Sequence, residues 1–346
     1  MMSSGRHSDK HMIQGSSATL QTSNTWREIL ATAITDPAEL LQTLGLPEAL
    51  LPAAEKAAKS FGLKVTSPYL ARIRHADPDD PLLRQILPIS DELFEKQGFS
   101  PDPVGDLAAM DSPGLLHKYH GRALLLATAA CGIHCRYCFR RAFPYIDANP
   151  ARDDWQQAID SIKADSSISE IILSGGDPLS LSDQRLATLS RKLANIPHLK
   201  RLRIHTRMPV VAPSRVDESL CSWLSSIPLQ TVVVLHINHP QEIDTELAQA
   251  CSRLRDTGTT LLNQAVLLAG VNDDANTLIR LSERLFETGV LPYYLHQLDR
   301  VQGAAHFEVA DEQAHQLLKS LREALSGYLV PRLVREETGS ASKLPL

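Results

Sequence analysis

The stretch RALLLATAACGIHCRYC, residues 122–138, joins two patterns with no loop between them. Residues 122–130 are almost wholly apolar, which is the signature of a strand buried on both faces of a parallel sheet. The next eight residues hold Cys131, Cys135 and Cys138 in a CxxxCxxC spacing, directly at the carboxyl end of that strand. Parallel α/β folds build their sites at that end. Thiolates select soft metals and iron–sulfur clusters. Three thiolates on a four-iron cube leave one iron without a protein ligand, and that position can take a small molecule as an open metal site does. A structural zinc site is the alternative; it needs a fourth ligand, which His134 could supply.

Outward from this segment the chain keeps a rhythm. Apolar or β-branched runs recur at 170–174, 199–207, 231–237, 260–268 and 291–298, with amphipathic stretches between them at 153–164, 183–194, 214–225, 242–256 and 274–288. Strands alternating with helices imply a parallel sheet with crossover helices. Six units in roughly 180 residues predict an incomplete (β/α)6 TIM-like barrel, with a doubly wound open sheet as the alternative. The barrel is expected over 111–309. Ahead of it, 25–110 reads as a helical region: WREILATAITDPAELLQTLGL steps its apolar residues by three and four and breaks at Asp36-Pro37. Residues 101–120, rich in Pro, Gly and Asp, read as an irregular approach. Residues 1–24 are polar and aperiodic and read as a flexible arm or an expression remnant. The end of the chain, 310–346, reads as one helix over about 310–326 and a short tail.

Composition narrows the function. The 346 residues are 43% hydrophobic and 22% charged, with a formal net charge of −5. That fits a globular protein and not a disordered or collagenous one. Slight acidity argues against a dedicated nucleic-acid binder. No apolar run reaches the roughly 18 residues that span a bilayer, and the N-terminus lacks a signal-peptide core. The expected compartment is the cytoplasm. Five cysteines are too few for a disulfide scaffold, and Cys221 and Cys251, on predicted helices, read as small buried hydrophobes.

The cysteine spacing, with Tyr137 just before the third cysteine, resembles the radical S-adenosylmethionine superfamily. Ser174-Gly175-Gly176-Asp177-Pro178, at the end of the second strand, looks like that family's GGDP element beside the methionine amino group. The likeness extends further. SPGLLHKYHGRALLLATAACGIHCRYCFRRAFPY, RMPVVAPSRV, HINHPQEI, NQAVLLAGVND and YYLHQLDRVQGAAHF are similar to the lysine 2,3-aminomutase family over about residues 110–346. The Trp26–Leu46 region resembles the shorter bacterial members linked to β-lysylation of elongation factor P.

This resemblance implies three cofactors: a [4Fe–4S] cluster on Cys131, Cys135 and Cys138, S-adenosylmethionine, and pyridoxal 5′-phosphate (PLP). It implies Lys343 as the Schiff-base lysine, although a lysine so near the end is ordinarily a solvated one. Lys118, Tyr119 and Arg122 would hold the PLP phosphate; the family has arginine at the first of these. Gln264 and His236 fall near the PLP and the adenosyl group, Tyr137 near the adenine, and His296 where a tyrosine usually meets the PLP ring. Arg140 would fork onto the substrate carboxylate, with Arg141 beside it less firmly assigned. Asp299 and Glu336 would hold the lysine ε-ammonium, the family having aspartate at the second. Arg335 should turn the other way by strand alternation.

The implied reaction is L-α-lysine to β-lysine: a 5′-deoxyadenosyl radical removes a C3 hydrogen and the nitrogen migrates from C2 to C3. The implied partners are lysine, an electron donor such as flavodoxin or ferredoxin, and an elongation factor P lysine ligase. A homo-oligomer is also expected. The alternative is a general amino-acid 2,3-aminomutase of metabolism or antibiotic synthesis. Large clostridial members bind zinc after the GVND stretch through a cysteine; Asp274 stands there, so no zinc is expected.

Overall fold

The structure, a computed structural model, describes residues 25–145 and 154–346; the expected arm at 1–24 lies outside the described residues. All six expected strands form, as β3 (Arg122–Thr128), β4 (Glu170–Gly175), β5 (Arg201–Thr206), β6 (Gln230–His236), β7 (Thr260–Val266) and β8 (Leu291–His296). They pair in parallel in chain order. β4 shows why the run was legible: EIILS is buried on both faces, as a strand covered by helices must be.

The crossover helices are α6 (Gln156–Ala164), α7 (Asp183–Ala194), α9 (Glu218–Ser226), α10 (Thr245–Asp256) and α11 (Ala275–Glu287), with the short α8 (Met208–Val211) after β5. Side-chain caps start them where the sequence changes period. Ser182, Asp217, Asp244 and Asp274 each accept a backbone N–H of the first turn. Asp274 is thus a helix cap. The apolar faces of these helices meet the outer face of the sheet in one continuous core.

The sheet is larger than the sequence pattern indicated. Residues 101–120 were expected to be irregular, but β1 (Met110–Ser112) and β2 (Leu115–Tyr119) form an antiparallel hairpin on β3. The tail adds β9 (Arg332–Arg335), parallel to β8, and β10 (Leu344–Pro345), antiparallel to β9. The sheet therefore runs past residue 309 to ten strands, ordered β1 to β10 without closing β10 onto β1. This is an incomplete (β/α)6 barrel, flanked by hairpins at both edges. The final helix is α12 (Asp311–Ala324).

Ahead of the sheet lie α1 (Trp26–Ala31), α2 (Pro37–Leu44), α3 (Leu51–Ser60), α4 (Ser67–Leu70) and α5 (Pro81–Arg84). Asp36 caps α2 with Pro37 in its first turn, and Gly45 ends it in the left-handed region at φ 63°. These helices share the barrel's core through Trp26, Leu40, Tyr69 and Leu82. Cys251 is fully buried as expected, but Cys221 is only half-buried. Among the described residues no helix is long and apolar enough to cross a membrane.

Candidate active site

The carboxyl ends of the parallel strands surround one cavity of about 410 Å³. The three cysteines and most of the other site residues singled out from the sequence line it. The cysteine loop after β3 brings Cys131, Cys135, Tyr137, Cys138 and Arg140; β4 brings Ser174, Gly175, Gly176 and Asp177; β6 and β7 bring His236 and Gln264. β8 and its loop bring His296 and Asp299, the β2–β3 hairpin Lys118, Tyr119 and Arg122, and the tail Glu336 and Lys343. Arg141 is not in the lining; it pairs with the buried Glu92 at 2.6 Å. Arg335 turns outward to Asp311.

Burial, aided by the other cysteines, pushes the Cys131 thiol well up, and the Cys138 thiol to about 11. To hold a metal or a cluster these thiols would have to lose their protons. His134 does not join them. It stacks on Phe61 with centroids 5.3 Å apart, and its Nδ1 lies 2.8 Å from the Gly62 carbonyl, away from the cavity. The donor set facing the cavity is therefore all sulfur, which fits an iron–sulfur cluster better than a Cys3His zinc.

The two glycines of the GGDP element have a local reason. Gly175 has φ +116°, and a Cβ there would lie 2.5 Å from the Thr128 carbonyl oxygen. A Cβ on Gly176 would lie 2.3 Å from the Ala130 oxygen and 2.7 Å from Ala129. The close approach is to the backbone leading into Cys131. Asp177 is buried and fixes the neighbouring strand: it accepts from Thr206 Oγ1 at 2.6 Å, Arg207 N at 2.7 Å and Leu179 N at 3.0 Å.

At the other end of the cavity the charges are arranged around a residue that the sequence pattern did not reveal. Asp106, 2% exposed, accepts from Arg140 Nε at 2.6 Å and pairs with Lys118 Nζ at 2.6 Å. Burial opposes its ionisation, but the two cations outweigh it and its pKa falls below the usual carboxylate range. Arg140 Nη1 also donates to Ser174 Oγ at 3.1 Å. Lys118 reaches Glu336 at 2.9 Å, and Glu336 also pairs with Lys343. Burial would raise the Glu336 pKa, yet the two ammonium groups pull it down to about 2. Asp299 has no such cation at contact distance; burial and the Glu336 charge push it up to about 7.

Several polar atoms await a partner. Among the described residues His205 Nε2 is shielded from solvent with no hydrogen-bond partner, and Tyr119 Oη, also shielded, has only the Glu336 carboxylate acting on it. The Arg122 guanidinium lies over the Tyr119 ring at 4.7 Å and makes no ion pair among the described residues. A cation, a phenol and an imidazole lining the same cavity suit an anionic, phosphate-bearing group. His205 and the wall residues Arg203, Tyr293 and Tyr294 were also not foreseen. His205 sits at an alternation position in β5, which is the signal that could have found it. Tyr137 is 5% exposed and stacks with His236 at 5.6 Å. Burial and Arg207 push His236 down to about 3, so its imidazole is neutral.

Three cysteines sharing one cavity with a set of cations and phenols, at the carboxyl ends of parallel strands, are the lining of a cluster-binding enzyme. The family described as 4Fe-4S single cluster domain matches residues 120–204. An L-lysine 2,3-aminomutase of Haemophilus influenzae is 50% identical over 319 residues, covering 92% of this chain and 94% of that one. The protein of the same name from Escherichia coli is 49% identical, covering 93% and 94%. That of Clostridium subterminale is 35% identical, covering 93% of this chain and 78% of the relative. A radical SAM methyltransferase from Sphaerobacter thermophilus is only loosely alike, with a TM-score of 0.42, 16% identity and coverage of 66% and 69%. The chain belongs to the L-lysine 2,3-aminomutase family. It is an isomerase that works with a [4Fe–4S] cluster, S-adenosylmethionine and PLP.

Proposed function

We propose that this chain converts L-α-lysine to β-lysine, and that the β-lysine serves modification of elongation factor P. The second half rests on the resemblance of Trp26–Leu46 to the short bacterial members. The observation that carries the first half is the set of charges that share the cavity: Arg140, suited to a carboxylate, and the acidic pair Asp299 and Glu336, suited to an ammonium, all line it. A lysine carries the complementary groups, a carboxylate and a distal ammonium.

When bound, the cluster with S-adenosylmethionine supplies a carbon-centred radical, and PLP supplies a carbonyl that captures the substrate amine. The chain's own groups do the rest. Arg140, held by Asp106 through Nε, presents the remainder of its fork to the substrate carboxylate. Asp299 and Glu336 offset the charge of an ε-ammonium, whose burial unpaired would cost several kcal/mol. Lys118, Tyr119 and Arg122 hold the phosphate. Lys343 must lose a proton to act as an amine. Two carboxylates lie within its electrostatic reach: Glu336, held down near 2, is in contact with it, and Asp299, pushed up to about 7, acts on it from farther off. A general amino-acid aminomutase is the competing reading, and a substrate lacking the distal cation would leave the buried Asp299 without a partner, while Glu336 keeps Lys118.

The test is an anaerobic incubation with lysine, S-adenosylmethionine, PLP and a reductant, followed by mass spectrometry of derivatised amino acids. Ornithine and glutamate run alongside. β-Lysine from lysine, with little product from glutamate, upholds the assignment; equal turnover of glutamate removes it.

A further inference from the structure

Arg207 stands directly behind one of the three cluster thiols. β5 ends at Thr206, and the backbone N–H of Arg207 is tied to Asp177 Oδ2 at 2.7 Å. This fixes where the side chain starts. Its Nη1 donates to Cys135 Sγ at 2.8 Å and to Tyr137 Oη at 2.7 Å. Its Nη2 donates to Glu242 Oε2 at 2.8 Å and Gln85 Oε1 at 2.7 Å. Arg207 is 6% exposed and Glu242 is fully buried. Glu242 is itself held by the Asn238 and His239 backbone N–H groups, at 2.9 and 3.1 Å. The guanidinium thus bridges a sulfur ligand on one side and a fixed carboxylate on the other. Only a rigid planar fork spans both at once; an ammonium occupies one point.

We propose that Arg207 sets the reduction potential of the cluster held by Cys131, Cys135 and Cys138, raising it through the Nη1–H···Sγ bond to Cys135, and that Glu242 limits the rise. The proposal rests on the cluster reading of those cysteines. Reduction adds negative charge to the iron–sulfur core and its thiolates. A donor on a ligating sulfur therefore stabilises the reduced state more than the oxidised one and shifts the potential upward. A buried carboxylate beyond that donor acts with the opposite sign, weaker for its greater distance. Arg207 is a positioning and tuning group, since it reaches the iron only through Cys135.

The experiment uses full-length protein with its cluster assembled anaerobically. The reduced-cluster electron paramagnetic resonance signal is followed against poised potential in wild type, Arg207→Lys and Glu242→Gln. Arg207→Lys keeps a charge for Glu242 but gives up the sulfur bond, so its potential moves negative, by a change of about threefold to tenfold in the reduction equilibrium, tenfold being 59 mV for one electron. Glu242→Gln keeps its acceptor oxygen for the backbone N–H groups and loses the charge, so its potential moves positive. Opposite signs are the result that a purely structural role does not produce. Shifts of the same sign in both, or no shift in either, overturn the proposal. Should Arg207→Lys hold no cluster, Glu242→Gln decides alone: a positive shift upholds the proposal, and an unchanged or negative one ends it. A wild type that never shows a four-iron signal defeats the cluster reading itself, and this inference with it.

Discussion

Glu336 and Lys343, seven residues apart in the C-terminal tail, meet in an ion pair inside the cavity. The hairpin explains the meeting. Leu344 pairs with Arg335 across antiparallel β10 and β9, so the next residues inward along the loop, Lys343 and Glu336, lie opposite one another. Leu346 N closes the return on the Leu333 carbonyl at 3.1 Å. A lysine three places from the end of the chain is thereby held at a fixed point in the site.

Lys343→Ala removes the only amine placed to form a covalent link with PLP from this tail. The expected outcome is loss of the borohydride-reducible adduct in mass spectra, with iron and sulfide content unchanged. The Lys343 ammonium pairs with Glu336 and not with a cysteine, so cluster assembly should not depend on it. An adduct that survives in this variant would move the assignment to another lysine, with Lys118 the first to examine.

Asp299 gives a pH dependence whose sign follows from its burial. Its carboxyl has a folded pKa of about 7 against 3.8 for the unencumbered group. A carboxyl raised in the folded state costs stability as pH rises: the cost is absent below about 4, grows through the interval and is complete above about 7. Asp299→Asn should therefore be more stable than wild type at pH 8, by up to about 4 kcal/mol, and the gain should shrink as pH falls toward 4. Lysine binding runs the other way. An ε-ammonium favours the ionised carboxylate, so KM for lysine falls by nearly tenfold per pH unit below about 7 and levels off above it. Thermal melts and KM measured from pH 6 to 8.5 check both; a KM profile as steep in Asp299→Asn as in wild type would assign the titration elsewhere.

These two residues also show what the sequence made legible. The six central strands and their helices were readable because each strand is apolar on both faces and each helix has a marked apolar stripe. The cysteines were readable because their chemistry is carried by spacing alone. The hairpin β1–β2 was not: LLHKY is short, only Leu115 and Leu116 are buried, and it pairs because β3 offers an edge. β9 was hidden for the same reason, being four residues that become a strand only by lying on β8. Asp106 was hidden in a different way. It sits in the irregular stretch DPVGD, and its partners Arg140 and Lys118 are 34 and 12 positions away, so no local pattern marks it. Arg207 likewise reads as a charge after a strand until Cys135 and Glu242 are brought to it.

Asp106→Asn tests that hidden residue. The amide oxygen can still accept from Arg140 Nε, but the amide nitrogen then faces the Lys118 ammonium as a second donor. Truncating one partner of a buried charge pair costs about 3–5 kcal/mol where the other charge stays unpaired; retention of the Arg140 bond should bring this to the lower end. The expected outcome is a rise in KM for lysine of at least about tenfold and weaker PLP retention, with the cluster signal unchanged. If cluster content falls in proportion to activity, Asp106 is a structural strut of the loop and not an aligner of Arg140.

Gly176→Ala asks whether the GGDP turn is shaped by its backbone neighbours. The added Cβ would lie 2.3 Å from the Ala130 oxygen and 2.7 Å from the Ala129 carbonyl carbon. Both atoms are backbone, held by the bond from Asp177 N to Ala130 O at 2.7 Å, so no side-chain rotation relieves the clash. Either β4 retreats or the loop carrying Cys131 moves. Overpacking of this kind costs about 1–3 kcal/mol, which a protein of this size tolerates as a fold. Cys131 follows Ala130 directly, however, and a four-iron cluster does not tolerate a displaced ligand. The expected outcome is a folded protein, by circular dichroism, with less iron and sulfide bound than wild type under the same anaerobic reconstitution. A normal cluster in Gly176→Ala would mean that the turn has slack, and the need for glycine would then have to come from the small molecule at the open iron.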